Sequence, residues 1–111
     1  TVADNPDNIT VSPRGGILVC EDGGGLVIDD QRALGTRLIG IDHSGGSFVF
    51  AENNFVLEST ISDKPFIAPN DYRGSEFAGA TFSPLGRILF VNIQTPGITF
   101  AIEGPWWRGG L

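Results

Sequence analysis

Short apolar runs separated by turn residues make up most of this chain. One run covers residues 17–20, and similar runs lie in RLIGID (37–42), SFVFAEN (47–53), ILFVNI (88–93) and GITFAIEG (97–104). Val, Ile, Phe and Thr are frequent in these runs, whereas Gly, Pro, Asn, Asp and Ser fill the gaps between them. No segment keeps the period of about 3.6 residues that marks an amphipathic helix. The pattern predicts an all-β fold built from short strands.

The chain contains an internal repeat. TVSPRGGILVC (10–20) and TFSPLGRILFV (81–91) share six identical positions of eleven, at an offset of 71 residues. In each copy Ser-Pro-x-Gly predicts a tight turn, because the proline fixes φ and the glycine can take the left-handed conformation. The run after each turn is apolar on both faces, so we expect both faces to be covered. A repeated turn and doubly buried strand are typical of β-propeller blades.

The repeat divides residues 1–111 into two blade-like units and an insertion. The first unit covers about 8–53, includes a hairpin at 43–46, and has roughly the length of one blade. The second covers about 75–107, and about 54–74 form an insertion at the rim. Two blades cannot close a ring. We expect part of a larger propeller of about six blades, completed by a longer chain or by identical copies.

Net charge and cysteine content limit the classes of partner and the covalent links that this chain can have. The formal net charge is −6, which disfavours binding to a nucleic-acid backbone and suits cations better. The single cysteine, Cys20, excludes an internal disulfide. No apolar run has the length of a membrane span, and the first residues lack the pattern of a signal peptide. We therefore expect neither a nucleic-acid partner nor a membrane span.

Three longer blocks resemble a known family. PDNITVSPRGGILVCEDG (6–23), RLIGID (37–42) and SEFAGATFSPLGRILFVNIQTPGITFAIEGPW (75–106) are similar to the C-terminal part of the PhoX-type alkaline phosphatases. The resemblance implies a bacterial β-propeller protein exported by the twin-arginine route, and therefore a periplasmic or extracellular location. It also implies phosphomonoester hydrolysis in the complete protein, at a channel site that holds calcium and iron. The Cys-Glu-Glu block that supplies the family's cysteine ligand has no counterpart here, so we expect the isolated chain to lack the full site.

Glu21, Glu76 and Asn8 are the candidate metal ligands. In the repeat register Glu21 lies opposite Asn92, so each repeat places an oxygen-bearing side chain just past its apolar strand. Calcium takes about six to eight oxygen ligands, which one or two side chains per blade would supply. The resemblance supports Glu21, with a solvated strand end as the alternative. Glu76 and Asn8 lie near the same channel mouth or on surface turns.

The neighbours of these residues have simpler interpretations. Asp22 alternates to the face opposite Glu21, so we expect it to cap the turn at residues 23–25. Cys20 also points away from Glu21, which favours a small buried apolar residue over a ligand. Asp7 shares with Asn8 the turn that follows a proline, and ligation is the alternative.

Arg73 and Trp106 are the candidate substrate-binding residues. Arg73 can hold a phosphate through two parallel hydrogen bonds, or it is an exposed loop arginine. Of Trp106 and Trp107, we expect one ring in the core and the other over an edge, unless an indole N–H donates to substrate. His43 with its neighbours does not predict a catalytic triad, because adjacent residues in a hairpin turn project in different directions.

Two classes of function remain open at this point, and a third is weaker. The first is metal-dependent phosphoester hydrolysis, in which bound cations polarise the phosphoryl oxygens. The second is a non-catalytic propeller fragment or a self-assembling two-blade module. The PDNI segment (6–9) adds a calcium-dependent, lactonase-like propeller as the third.

Overall fold

A computed structural model describes residues 3–23, 27–29, 32–33 and 35–111 of the chain. Within these ranges the regular structure consists of short strands and one 3-10 turn, Trp106–Arg108. The predicted all-β fold is therefore confirmed. The strands in chain order are β1 (Pro6–Val11), β2 (Ile17–Glu21), β3 (Val27–Asp29), β4 (Arg32–Ala33), β5 (Arg37–Ile41), β6 (Ser47–Glu52), β7 (Val56–Leu57), β8 (Asn70–Asp71), β9 (Phe77–Phe82), β10 (Ile88–Ile93) and β11 (Ile98–Glu103).

Two antiparallel sheets dominate the structure. The first has the order β1-β2-β5-β6, and the β3-β4 hairpin lies between β2 and β5 along the chain. The second has the order β11-β10-β9. In both sheets neighbouring strands keep their order along the chain, apart from the hairpin between β2 and β5, as in the sheets of propeller blades. A further pair, β7 and β8, lies within the predicted insertion.

The repeated Ser-Pro-x-Gly turns have the predicted conformation. Gly15 has φ of +100° and Gly86 has φ of +64°, so both use the left-handed region that favours glycine. The two turns also contact each other, because Arg14 Nη2 donates to the carbonyl of Gly86 at 2.8 Å. This contact lies at the turn end of β1 and β9, which pack beside each other.

One face of the first sheet packs against the second sheet. Leu18 and Cys20 on β2, together with Leu38 on β5, form a core cluster with Leu89 and Val91 of β10, and all five are fully buried. The alternation of side chains along β2 and β10 explains why every second residue belongs to this core.

The opposite face of the first sheet is apolar as well. Ile9, Val19, Ile39 and Val49 lie in one row across the four strands. Ile9 and Val49 are 69% and 46% exposed, and Val11 beside them is 65% exposed. We expected both faces to be covered, but the second sheet covers only one of them. We call Ile9, Val11 and Val49 the open apolar face.

Candidate metal centre

Three carboxylates meet at the end of β1 and β9 that lies away from the Ser-Pro-x-Gly turns. One carboxylate oxygen each from Asp7, Asp22 and Glu76 can be chosen so that all three lie within 4.8 Å of one another. Asp7 is near the start of β1, Asp22 directly follows β2, and Glu76 directly precedes β9. Because β1 and β2 are antiparallel, the start of one and the end of the other share an edge. The sheet topology thus brings the three residues of this acidic cluster together.

A β-bulge places Asp7 in the cluster. The pairing of β1 with β2 shifts between Pro6 and Asn8, so Asp7 is the extra residue of the bulge. A bulge re-aims its side chain away from regular alternation. Asn8 stabilises the arrangement, because its Nδ2 donates to Asp7 Oδ1 at 3.1 Å and its Oδ1 accepts the Gly79 N–H at 3.4 Å. The predicted ligand Asn8 therefore lies directly beside the cluster.

Glu76 has the most unusual environment of the three. Its Oε2 is buried and has no hydrogen-bond partner among the described residues. Burial raises the pKa of Glu76, a side-chain hydrogen bond with Asp22 raises it further, and the charges of Asp22 and Asp7 act in the same direction. A buried acceptor without a partner is uncommon in a folded protein. The structure therefore places the predicted ligand Glu76 at the centre of an unsatisfied, negatively charged site.

Glu21 lies outside the cluster. Its carboxylate is 2% exposed and accepts four hydrogen bonds. Oε1 accepts Arg37 Nη2 at 2.6 Å and the Asp4 N–H at 2.8 Å. Oε2 accepts Arg37 Nε and the Arg37 backbone N–H, both at 2.9 Å. A ligand role would require Glu21 to leave Arg37, and that role stays a prediction.

Asp22 is the cluster residue that sequence reasoning assigned differently. Strand alternation predicts that Asp22 faces away from Glu21, and the two side chains do diverge: Glu21 pairs with Arg37, whereas Asp22 lies with Asp7 and Glu76. The Asp22 N–H donates to the Asn5 carbonyl at 3.0 Å, which fixes its backbone beside the start of β1. Its expected turn at residues 23–25 lies partly outside the described residues, at 24 and 25.

Cys20 is fully buried, as expected for a small apolar residue. Burial raises the pKa of its thiol to about 11, a backbone hydrogen bond at Ala80 opposes this, and the charges of Asp7 and Glu76 add to the increase. The thiol is therefore protonated at neutral pH, which makes Cys20 a poor metal ligand in this state.

The two predicted substrate-binding residues have protein partners. Arg73 Nη2 pairs with Asp71 Oδ2 at 2.7 Å on the surface, next to the insertion strands. Trp106 is buried and donates its Nε1–H to the Arg87 carbonyl at 2.7 Å. Neither residue is brought to the acidic cluster by a contact in the described residues. Their substrate roles stay predictions.

The tryptophan pair divides between core and surface. Trp106 stacks on Phe50 with ring centroids 6.0 Å apart and meets the edge of Phe82 at 5.4 Å. Trp107 is 77% exposed. Trp106 is therefore the tryptophan of the core, and Trp107 is the exposed one.

His43 lies in the turn between β5 and β6, where the hydrogen bonds are local. Asp42 Oδ1 accepts from Ser44 Oγ at 2.6 Å and from the N–H groups of Ser44 and Gly46. These bonds lower the pKa of Asp42, led by the bond from the Ser44 hydroxyl. The geometry is that of an Asx turn, in agreement with the rejection of a triad.

The fold and cluster together define a class: an all-β protein with blade-like antiparallel sheets and a carboxylate cluster at one end of β1 and β9. A comparison with protein families identifies the member of that class, because the family model for alkaline phosphatase PhoX matches residues 1–97. The chain belongs to the PhoX alkaline phosphatase family. Neither curated proteins nor solved structures gave a match. Among the described residues, no helix has the length and apolar character that crossing a bilayer requires.

Proposed function

We propose that the acidic cluster binds a divalent cation, with calcium as the first candidate. This cation would serve phosphomonoester hydrolysis by the complete propeller. The observation that carries the proposal is the buried, unpartnered Oε2 of Glu76 beside the carboxylates of Asp7 and Asp22. Three negative groups in so small a space repel one another, and a cation at their centre offsets that repulsion. Membership of a phosphatase family agrees with this assignment.

The donor set fits calcium better than a softer metal. All of the donors are oxygens, and hard cations such as calcium prefer carboxylate and carbonyl oxygen. Calcium accepts about six to eight such ligands, so the three carboxylates leave positions for water, substrate or other blades. Iron, which the family resemblance also implies, is a second candidate, but the cluster found among the described residues contains no thiol, and Cys20 packs in the apolar core.

The residues of this chain would hold the cation and set its position. When bound, a divalent cation polarises the phosphoryl oxygens and stabilises the charge that develops during transfer. Asp7, Asp22 and Glu76 would hold it at the end of the inner strands, and Asn8 orients Asp7 by its amide hydrogen bond. The full reaction needs groups beyond these three, and we propose that other blades supply them.

The open apolar face indicates where another blade packs. Ile9, Val11 and Val49 are large β-branched residues exposed on one face of the first sheet, where Ile39 between the outer strands is buried. Burying such surface stabilises a protein by about 25 cal/mol per Å² of apolar area. We propose that a neighbouring blade covers it, supplied by a longer chain or by an identical copy. The family is typically secreted, and we propose a periplasmic or extracellular location.

Calcium binding and assembly are tested together by native mass spectrometry of the full chain. We expect bound calcium in the wild type and at least about a tenfold loss of affinity in Asp22→Asn and Glu76→Gln, because ligand charge sets calcium affinity. Asp63→Asn, which removes an equal charge from the exposed insertion, is the matched control. Equal calcium content in all four proteins contradicts the proposed site.

Catalysis is tested separately on the calcium-loaded protein. Hydrolysis of a phosphomonoester that is lost in Asp22→Asn supports the phosphatase assignment. Calcium binding without any hydrolysis favours the non-catalytic alternative for this chain. Hydrolysis of a lactone in place of the phosphomonoester favours the lactonase-like alternative.

A further inference from the structure

Buried hydrogen bonds tie two of the cluster's segments to Glu21. The Asp4 N–H donates to Glu21 Oε1 at 2.8 Å, and Asp4 lies on the segment that leads into Asp7. Glu21 is also the direct neighbour of Asp22, whose N–H donates to the Asn5 carbonyl at 3.0 Å. The carboxylate of Glu21 is itself held by Arg37, the first residue of β5. The ion pair therefore links the start of β5 to the segment of Asp7 through Asp4, and Asp22 is bound to the same segment through Asn5.

The third segment is tied to the same place by Thr36, the neighbour of Arg37. Thr36 is fully buried, and its Oγ1 donates to the Ser75 carbonyl at 2.6 Å. Its N–H donates to the Arg73 carbonyl at 3.1 Å. Ser75 directly precedes Glu76, so Thr36 holds the segment of Glu76 together with the Gln94 N–H, which donates to the Glu76 carbonyl at 3.0 Å. Asn53 supports the same bond, because its Nδ2 also donates to the Ser75 carbonyl, at 2.9 Å.

Carboxylates that repel one another stay together only if their backbones are held. The four acceptor positions of Glu21 are occupied, so Glu21 acts on the cluster through its neighbours. We propose that Glu21, Arg37 and Thr36 are positioning residues that hold the acidic cluster together before a cation arrives. The proposal rests on the proposed cation site and replaces the ligand role predicted for Glu21. We call these three residues the positioning set.

A double-mutant cycle without metal tests the positioning set directly. In EDTA, Asp22→Asn removes one of the repelling charges, so we expect it to raise the melting temperature of the wild type. Thr36→Val keeps the shape of the side chain and the net charge but removes the hydroxyl that fixes Ser75. In this background the gain from Asp22→Asn should fall by about half, since the Glu76 segment is loosened while Asn53 still holds it. Additive effects of the two substitutions overturn the proposal.

A terbium luminescence titration tests the consequence for binding. Substitution of residues that orient ligands typically costs about 10–100-fold in metal affinity, and we expect that loss for Thr36→Val. Tyr72→Phe is the matched control, because Tyr72 Oη also donates to a backbone carbonyl, that of Ala68, at 2.6 Å. Equal terbium affinity in the two variants overturns the proposal.

The two tests separate failure of this inference from failure of the proposed function. A wild type that binds no terbium removes the cation site, yet the cycle in EDTA still decides whether the positioning set holds the carboxylates together. A wild type that binds terbium with undiminished affinity in Thr36→Val keeps the cation site and removes the positioning role.

Discussion

At the scale of single residues, burial decides which reactive groups are available. Cys20 is fully buried beside two carboxylates, and its pKa is raised to about 11. Glu21 has the acidic character of a ligand, but its acceptor positions are filled by Arg37 and the Asp4 N–H. Residue type alone therefore gives a poor guide to chemistry in this chain, because the partners of each group lie far away in sequence.

The raised pKa of Cys20 predicts a slow thiol reaction in the folded state. Because the thiolate is the reactive form, a pKa above the ordinary value lowers reactivity at pH 8, and burial blocks access. We expect a thiol reagent such as DTNB to label the native chain at least about a hundredfold more slowly than the chain in guanidinium. Since Cys20 is the single cysteine, the signal has one source. Labelling at equal rates in both states contradicts the burial.

Glu21→Gln separates an ion-pair role from a ligand role. Breaking a buried pair by removing one partner costs about 3–5 kcal/mol, because Arg37 keeps its charge and loses the carboxylate that holds it most strongly. We therefore expect that loss in the free energy of unfolding, measured by urea denaturation in EDTA. Asp71→Asn, which breaks the exposed pair with Arg73, should change stability much less, because solvent screens an exposed pair. Unchanged stability of Glu21→Gln in EDTA would instead support the ligand role.

At the scale of elements, the sequence predicts strands and turns better than it predicts their ends. The Ser-Pro-x-Gly repeat correctly predicts both hairpin turns, since proline and glycine act locally. The meeting of Asp22 with Glu76 and the bulge at Asp7 follow from strand pairing that no single segment reveals. The pair of Glu21 with Arg37 needs β2 and β5 to be neighbours across an intervening hairpin. Such contacts depend on topology rather than on local pattern.

The contact between the two repeated turns predicts an unequal cost for two glycine substitutions. Gly86 and Gly45 both have positive φ, so alanine strains either position by about 1–2 kcal/mol. A Cβ on Gly86 would also lie 2.9 Å from Pro13 Cγ, whereas nothing lies within 4 Å of one on Gly45. In urea denaturation we expect Gly86→Ala to cost more than Gly45→Ala. Equal losses in the free energy of unfolding would mean that the contact with Pro13 adds nothing to the strain at Gly86.

At the scale of the whole molecule, the first sheet has one covered face and one exposed apolar face. This is the arrangement expected of a unit that packs against a further sheet. The second sheet covers Leu18 and Leu38, while Ile9 and Val49 on the other face stay exposed. The sequence indicated that both faces of these strands are apolar, and it indicated two blade-like units. It did not indicate which face meets the neighbour inside the chain, because both faces have similar residues.

The open apolar face predicts association at high concentration. In analytical ultracentrifugation we expect the chain to form oligomers as its concentration rises, and Ile9→Lys to weaken them, since a charge in an apolar interface is costly. Phe66→Lys is the control, because Phe66 is 80% exposed in the insertion and outside this face. A wild type that stays monomeric at every concentration contradicts packing by identical copies and favours a blade from a longer chain.

The acidic cluster draws on both halves of the internal repeat. Asp7 and Asp22 come from the first half and Glu76 from the second. The cluster therefore lies at the boundary between the halves, and neither half contains all three carboxylates. A chain cut between the halves should therefore lack the complete cluster in either piece. The three carboxylates should come together again when the two pieces are mixed.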